Sequence, residues 1–178
     1  MDYLRIIDKY YPEDNALKRL LLEHSQSVAR KALQIVAFHP HLHLDSQFVE
    51  EAAMVHDIGI CLTDAPGIYC HGHYPYICHG ILGARMMRAE GYERHARVCE
   101  RHTGAGLSLD DIINQHLPLP HQSLLPETLE EQLICYADKF FSKSHPEQEK
   151  TIAQAERSLA KFGEAGVERF RIWVELFG

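Results

Sequence analysis

Several side chains in this sequence sit where their chemistry needs a partner. His24 falls within the apolar stripe of Leu17, Leu20, Leu21, Val28, Ala32, Ile35 and Val36 along residues 14–37, the three-and-four spacing of a helix with one buried face. His102 shares a comparable face with His95, Val98 and Cys99, and Asp138 shares one with Ile134 and Phe141. The pair His56-Asp57 ends a further apolar segment, and His79 begins another. A lone inward histidine is most often held by a carbonyl. A buried carboxylate is the sharper anomaly, because it is costly unless a cation or several donors compensate it. Two inward aspartates near several inward histidines are most economically explained by a shared metal centre. Mixed nitrogen and oxygen ligands suit first-row divalent ions such as Mn, Fe, Co, Ni or Zn.

The elements that must position these residues are helical throughout. The first stripe ends before Pro40, and a second helix runs from Ser46, a candidate N-cap, to His56-Asp57, with Gly59 where it would stop. Residues 60–77 are rich in Gly, Pro and His without a period and read as a loop long enough to be functional. Two short helices over 78–90 and 92–103 meet at Gly91, and a third is expected at 108–116 within an irregular stretch. Thr128 and Glu131 form a capping-box pattern opening a helix over 128–142. Ser144 and Glu147 repeat that pattern before a helix at 146–162. A last helix at 164–177 turns Phe170, Trp173 and Phe177 inward. No segment alternates cleanly enough to be a strand. The expectation is one all-α domain over residues 1–178, a bundle of about six to eight helices.

The order His24 … His56-Asp57 … Asp138 resembles the H…HD…D signature of the HD-domain superfamily, and Val55-His56-Asp57-Ile58-Gly59 matches its HDIG form. His79-Gly80 in HGILGARMM, His102 in RHTGAG and Tyr136-Ala137-Asp138-Lys139 extend the likeness, which spans residues 20–142 and leaves the helices of 146–177 to pack on that core. The resemblance implies that His24, His56, Asp57 and Asp138 bind one metal. It also implies that His79 and His102 complete a second site, with Asp57 bridging. The assigned catalytic set is Asp57, His79, His102 and Lys139, and the implied activity is that of a metal-dependent phosphohydrolase acting as a phosphomonoesterase, phosphodiesterase or pyrophosphohydrolase. Two divalent ions about 3.5–4 Å apart acidify a water and neutralise charge on the attacked phosphoryl group. Two alternatives use the same residues: a mixed-valent di-iron oxygenase, and a nucleotide-binding regulatory module without turnover.

Composition narrows the partners. A net charge of -7 argues against binding nucleic-acid polymers or anionic membranes, while two divalent ions would make a local cationic pocket for a small phosphorylated substrate. No run approaches the roughly 20 apolar residues of a membrane span, and the N-terminal residues lack the features of a signal peptide, so a cytoplasmic location is expected. A homodimer is compatible with the sequence, which does not fix the oligomeric state. The five cysteines have no framework spacing and read as reduced thiols. Lys139 and Arg101 are candidates for substrate phosphate, with a solvated charge the readier reading for Arg101. Relatives of this type often carry a basic residue directly after HDIG, whereas this chain has Ile60. His71 and His73, near Cys70 and Cys78, have no zinc-knuckle spacing and read as loop residues.

Overall fold

The structure, a computed structural model, describes residues 1–145 and 148–178, and nine α-helices lie among them. Helix α1 (Tyr3–Tyr10) precedes the stripe read from sequence, and its buried Ile6 and Ile7 dock it into the core beside α3. The long α2 (Ala16–Phe38) starts where the Asn15 side chain accepts from the Lys18 amide at 3.0 Å. It stops at His39, before Pro40, as expected. Helix α3 (Ser46–Val55) is capped by Asp45 and not by Ser46: the Asp45 carboxylate accepts from the Phe48 amide at 3.0 Å. A carboxylate both caps and complements the dipole at a helix start.

Helices α2, α3 and α7 (Leu129–Asp138) pack on one another, as do α4 (His79–Ala89) and α5 (Glu93–Arg101). After His56-Asp57 the chain tightens into a 3-10 turn at Ile58–Leu62. Tyr11 locks this turn, its hydroxyl donating to the Ile58 carbonyl at 2.7 Å and accepting from the Cys61 amide at 3.2 Å. The HDIG glycine then has a steric role. A Cβ on Gly59 would overlap the His79 carbonyl oxygen and the Gly83 amide nitrogen, and a Cβ on Gly80 would press on the Cys99 carbonyl. Bare backbone at these positions lets the 3-10 turn, α4 and α5 close on one another, which draws His56-Asp57, His79 and His102 together. Gly59→Ala should therefore destabilise the fold by about 2–3 kcal/mol or more through overpacking, read as a lower denaturation midpoint. An unchanged midpoint would disprove the close approach.

The stretch read as a loop without strands contains a small sheet, order β2-β1-β3, of β1 (Thr63–Ala65), β2 (Cys70–His71) and β3 (Tyr74–Pro75). Asp64 faces His71 antiparallel on one side, and Thr63 faces Tyr74 parallel on the other. Strands of two and three residues leave no room for alternation, so periodicity could not reveal them. The short α6 (Leu109–Asn114) and α7 both open with capping boxes, Ser108/Asp111 and Thr128/Glu131.

The next helix starts later than expected. Helix α8 (Ile152–Ala160) is opened by Thr151 and Gln154, which form a capping box of their own. Of the Ser144/Glu147 pattern, Glu147 lies outside the described residues. Helix α9 (Glu164–Phe177) buries Val167, Phe170, Trp173 and Phe177, and Tyr136 of α7 meets Phe170 and Phe177 at ring-centroid distances of 5.3 and 5.6 Å. That aromatic contact fastens the C-terminal hairpin to the helix carrying Asp138. No helix among the described residues is long and apolar enough to cross a membrane.

Candidate metal centre

The six residues singled out by type and spacing converge in two groups that share Asp57: His24, His56, Asp57 and Asp138 in one, and Asp57, His79 and His102 in the other. All are buried. Each comes from an element end or, for His24, from mid-helix. His56 and His102 follow the last residues of α3 and α5, and Asp138 ends α7. Helix ends leave carbonyls without intrahelical partners, and the histidines use them. Nδ1 of His56 lies 2.6 Å from the Ala53 carbonyl, Nδ1 of His102 lies 2.7 Å from that of Cys99, and Nδ1 of His79 lies 2.7 Å from that of Tyr76. Nδ1 must carry the hydrogen in all three, so in the neutral form each ring turns the lone pair of Nε2 inward.

This arrangement tests whether a metal fits. His79 Nε2 and His102 Nε2 face one another at 3.1 Å, and both lie near Asp57 Oδ1, at 3.4 and 3.2 Å. Three lone-pair atoms converge there, and only a proton or a cation between them makes that favourable. On the other side of the same carboxylate, Asp57 Oδ2 is 3.2 Å from both His24 Nε2 and His56 Nε2. Asp138 Oδ1 is 2.9 Å from His24 Nε2. Despite these separations, His24 Nε2, His56 Nε2 and both Asp57 oxygens make no hydrogen bond of acceptable geometry. Buried polar atoms that are close but not aimed at one another are what a ligand set around a common ion leaves. The residues fit divalent metal binding.

Electrostatics separates the histidines. Burial disfavours a charged His56, but Asp57 and Asp138 outweigh it and raise its pKa to about 9. His79 sees mainly one carboxylate, so burial prevails and lowers its pKa to about 3. Burial also opposes ionisation of Asp57 and Asp138, yet their neighbours hold both well below the usual carboxylate range: the Lys143 ammonium and His56 beside Asp57, the Lys139 ammonium and the His24 ring beside Asp138. Sequence reasoning missed Lys143, whose Nζ lies 2.6 Å from Asp57 Oδ2. It sits in the irregular segment after α7, where no helical period points a side chain anywhere.

A family model described as HD domain matches residues 21–142, which hold all six residues. The chain belongs to the HD-domain family. An uncharacterized protein of Methanocaldococcus jannaschii is 32% identical over 151 residues, covering 83% of this HD protein and 82% of that one. Two archaeal proteins named tRNA (cytidine(56)-2'-O)-methyltransferase are also 32% identical. The Picrophilus torridus protein aligns over 69% of this chain, the Thermoplasma volcanium protein over 68%. Against those two the chain spans 32% of the relative's length. No solved structure matches the chain.

In this HD protein the metal centre opens into a cavity of about 1100 Å³ bordered by His79, His102, Asp138, Lys139 and Lys143. Lys139 reaches that cavity, with Nζ 2.7 Å from Asp138 Oδ2. Arg101 does not. It is neither a phosphate contact nor a solvated charge, since its guanidinium donates to the Leu125 carbonyl at 2.6 Å and pairs with Glu127 at 2.7 Å. Ile60 is fully buried and lines no part of the cavity. His71 and His73 are outside both ligand groups, as are Cys70 and Cys78. The cysteines are free thiols, four of them buried. Tyr76, absent from the sequence reading, stacks on His79 with ring centroids 4.6 Å apart, and burial raises its pKa to about 12, so its hydroxyl stays protonated.

Proposed function

We propose that the chain is a metal-dependent phosphohydrolase acting on a small phosphorylated molecule. The observation that carries the reading is the division of labour at Asp57. One oxygen faces His24 and His56, the other faces His79 and His102, and His79, His102 and Asp138 border a cavity that also presents lysines. His24, His56, Asp57 and Asp138 would hold one ion, and Asp57, His79 and His102 would hold the other. Divalent ions bound there supply an acidified water and offset phosphoryl charge.

The chain's own groups do the rest. Lys139 and Lys143 are the cations closest to the ligand carboxylates, and with ions held there their ammonium groups would be free to meet the oxygens of a substrate phosphate. The backbone carbonyls behind His56, His79 and His102 fix the imidazole tautomers. Tyr76 covers one face of His79. A net charge of -7 keeps nucleic-acid polymers out of the reading. The relatives named as tRNA methyltransferases do not alter that, since this chain spans only a third of them.

The test is metal analysis of the purified protein, then a phosphate-release screen with Mn, Co, Ni and Fe(II) over nucleotides, dinucleoside polyphosphates and phosphosugars. Release from at least one class, abolished by chelation, is expected. Substrate-dependent oxygen uptake with a di-iron EPR signal and no phosphate release would replace the reading with an oxygenase. Tight nucleotide binding without turnover would favour a regulatory module.

Metal uptake should also expel a proton. His56 is raised to about 9 by its carboxylate neighbours, yet ligation needs its neutral Nε2. Metal affinity should therefore climb about tenfold per pH unit from 6.5 towards 9. Calorimetry in buffers of different ionisation enthalpy should show about one proton released per chain at neutral pH. In the stripped protein the sign of the stability effect follows. The His56 contribution is complete below its ordinary value of 6.5 and is lost as pH rises through about 9. The Asp57 and Asp138 contributions are lost only as pH falls below the ordinary 3.8. Uptake with no proton release would mean that His56 is neutral before the ion arrives.

A further inference from the structure

The cavity at the metal centre is far larger than a phosphate group requires, and its distal walls come from beyond the matched domain. Residues 21–142 carry the ligands, whereas Lys143, Lys150, Leu159 and Phe162 line the same cavity from the segment that follows. The chemistry of that segment is divided. Lys150 is anchored beside the end of α7, its amide donating to the Phe140 carbonyl at 2.8 Å. It is half-buried, and its charge lies within range of Asp138, Lys139 and Lys143.

Lys139 and Lys143 each have a carboxylate, Asp138 and Asp57, at 2.7 and 2.6 Å. Among the described residues no carboxylate stands within ion-pair distance of Lys150. Lys150 thus brings to the cavity an ammonium that no carboxylate among the described residues pairs, and an anion entering there would favour its charged form. Further along, Leu159 makes an apolar wall with Leu107 of the matched domain, and Phe162, on the turn between α8 and α9, keeps 73% of its surface exposed at the cavity edge. An aromatic side chain left open beside a cavity is a platform for a flat apolar group.

We propose that the segment after the matched domain is a substrate-recognition cap. Lys150 binds an oxygen of the substrate's phosphate, and Leu107, Leu159 and Phe162 hold a bulky, flat, apolar group on the other side of the ester bond. The substrate class is thus an organic phosphate with an apolar, planar leaving group, as opposed to a small polar phosphosugar. This inference rests on the hydrolase reading for its phosphate end.

The experiment uses the full chain loaded with Mn(II) and two non-hydrolysable phosphonates, naphthylmethylphosphonate and methylphosphonate, titrated calorimetrically. Phosphate release from naphthyl phosphate and glycerol phosphate is followed separately. The naphthyl phosphonate should bind at least about tenfold more tightly, the worth of burying one aromatic group. Phe162→Ala should remove most of that advantage and leave methylphosphonate unchanged. Lys150→Ala should weaken both ligands about tenfold, with Lys150→Arg restoring them, as expected for one charged contact. Phe162 is exposed and Lys150 has no ion-pair partner among the described residues, so both variants should fold, which thermal unfolding verifies. Equal affinity for the two phosphonates, or indifference to both alanine variants, would overturn the inference. Phosphate release without those preferences would leave the hydrolase reading standing and the cap refuted. The binding pattern without any phosphate release would do the reverse.

Discussion

Replacing Asp57 with asparagine is expected to empty both metal positions at once. The variant keeps the side-chain volume but trades a two-oxygen anion for one carbonyl oxygen and one NH2 group. The NH2 must then face either His24 and His56 or His79 and His102, because the two carboxylate oxygens divide between those pairs. Hydrogens aimed at lone-pair nitrogens satisfy that half without a metal, and the other half keeps too few anionic ligands. Metal content should fall to near zero by elemental analysis, and phosphate release should drop by about 10⁴-fold or more, the scale on which metal ions activate water and neutralise charge. Helical circular dichroism should persist, because Asp57 sits at an element junction and not in the aliphatic core. The melting point should fall somewhat, since Lys143 loses its carboxylate in a buried setting. Full metal content with wild-type turnover would end the proposal that Asp57 serves both ligand groups.

Lys143→Met should separate metal binding from turnover. In the structure the Lys143 ammonium sits 2.6 Å from Asp57 Oδ2 and competes with any cation for that oxygen. Burial disfavours its charge, but Asp57 and its other neighbours raise its pKa, so it is charged at neutral pH. Methionine fills similar volume without charge. Metal affinity should therefore rise, by about tenfold for the loss of one charged competitor. Turnover should fall by about 10²-fold, the effect of removing a preorganised donor to developing phosphoryl charge. Metal titration and steady-state kinetics on the same preparation read both. A variant with weaker metal binding and unchanged turnover would make Lys143 a structural counter-charge and nothing more.

These two residues also mark how far the sequence could be read. Asp57 was legible, because an aspartate beside a histidine at the end of an apolar helix has few explanations. His24, His102 and Asp138 were legible for the same reason, since each interrupts a stripe whose period assigns it to the buried face. Lys143 carries an equally large expected effect and gave no signal. It follows α7 in a stretch without periodicity, so only the path of the chain across the cavity brings its ammonium to Asp57. Tyr11 is similar: nothing about a tyrosine after a short amphipathic helix says that its hydroxyl will clamp the turn after the HDIG motif.

The sequence by itself determined the helical class, the ligand types and the helices that carry them, because burial period and residue chemistry are local properties. Tertiary structure alone decided that Asp57 gives one oxygen to each histidine pair, since that depends on α4 closing on the 3-10 turn at the bare backbone of Gly59 and on α5 at that of Gly80. It decided the small sheet at 63–75, whose strands are too short to show alternation. It also decided that the C-terminal hairpin, docked through Tyr136, Phe170 and Phe177, completes the cavity over the ligands. Which side chain meets which across long stretches of intervening chain, as His24 meets Asp138 and Asp57 meets Lys143, is set by how helices close, and no spacing along the chain records it.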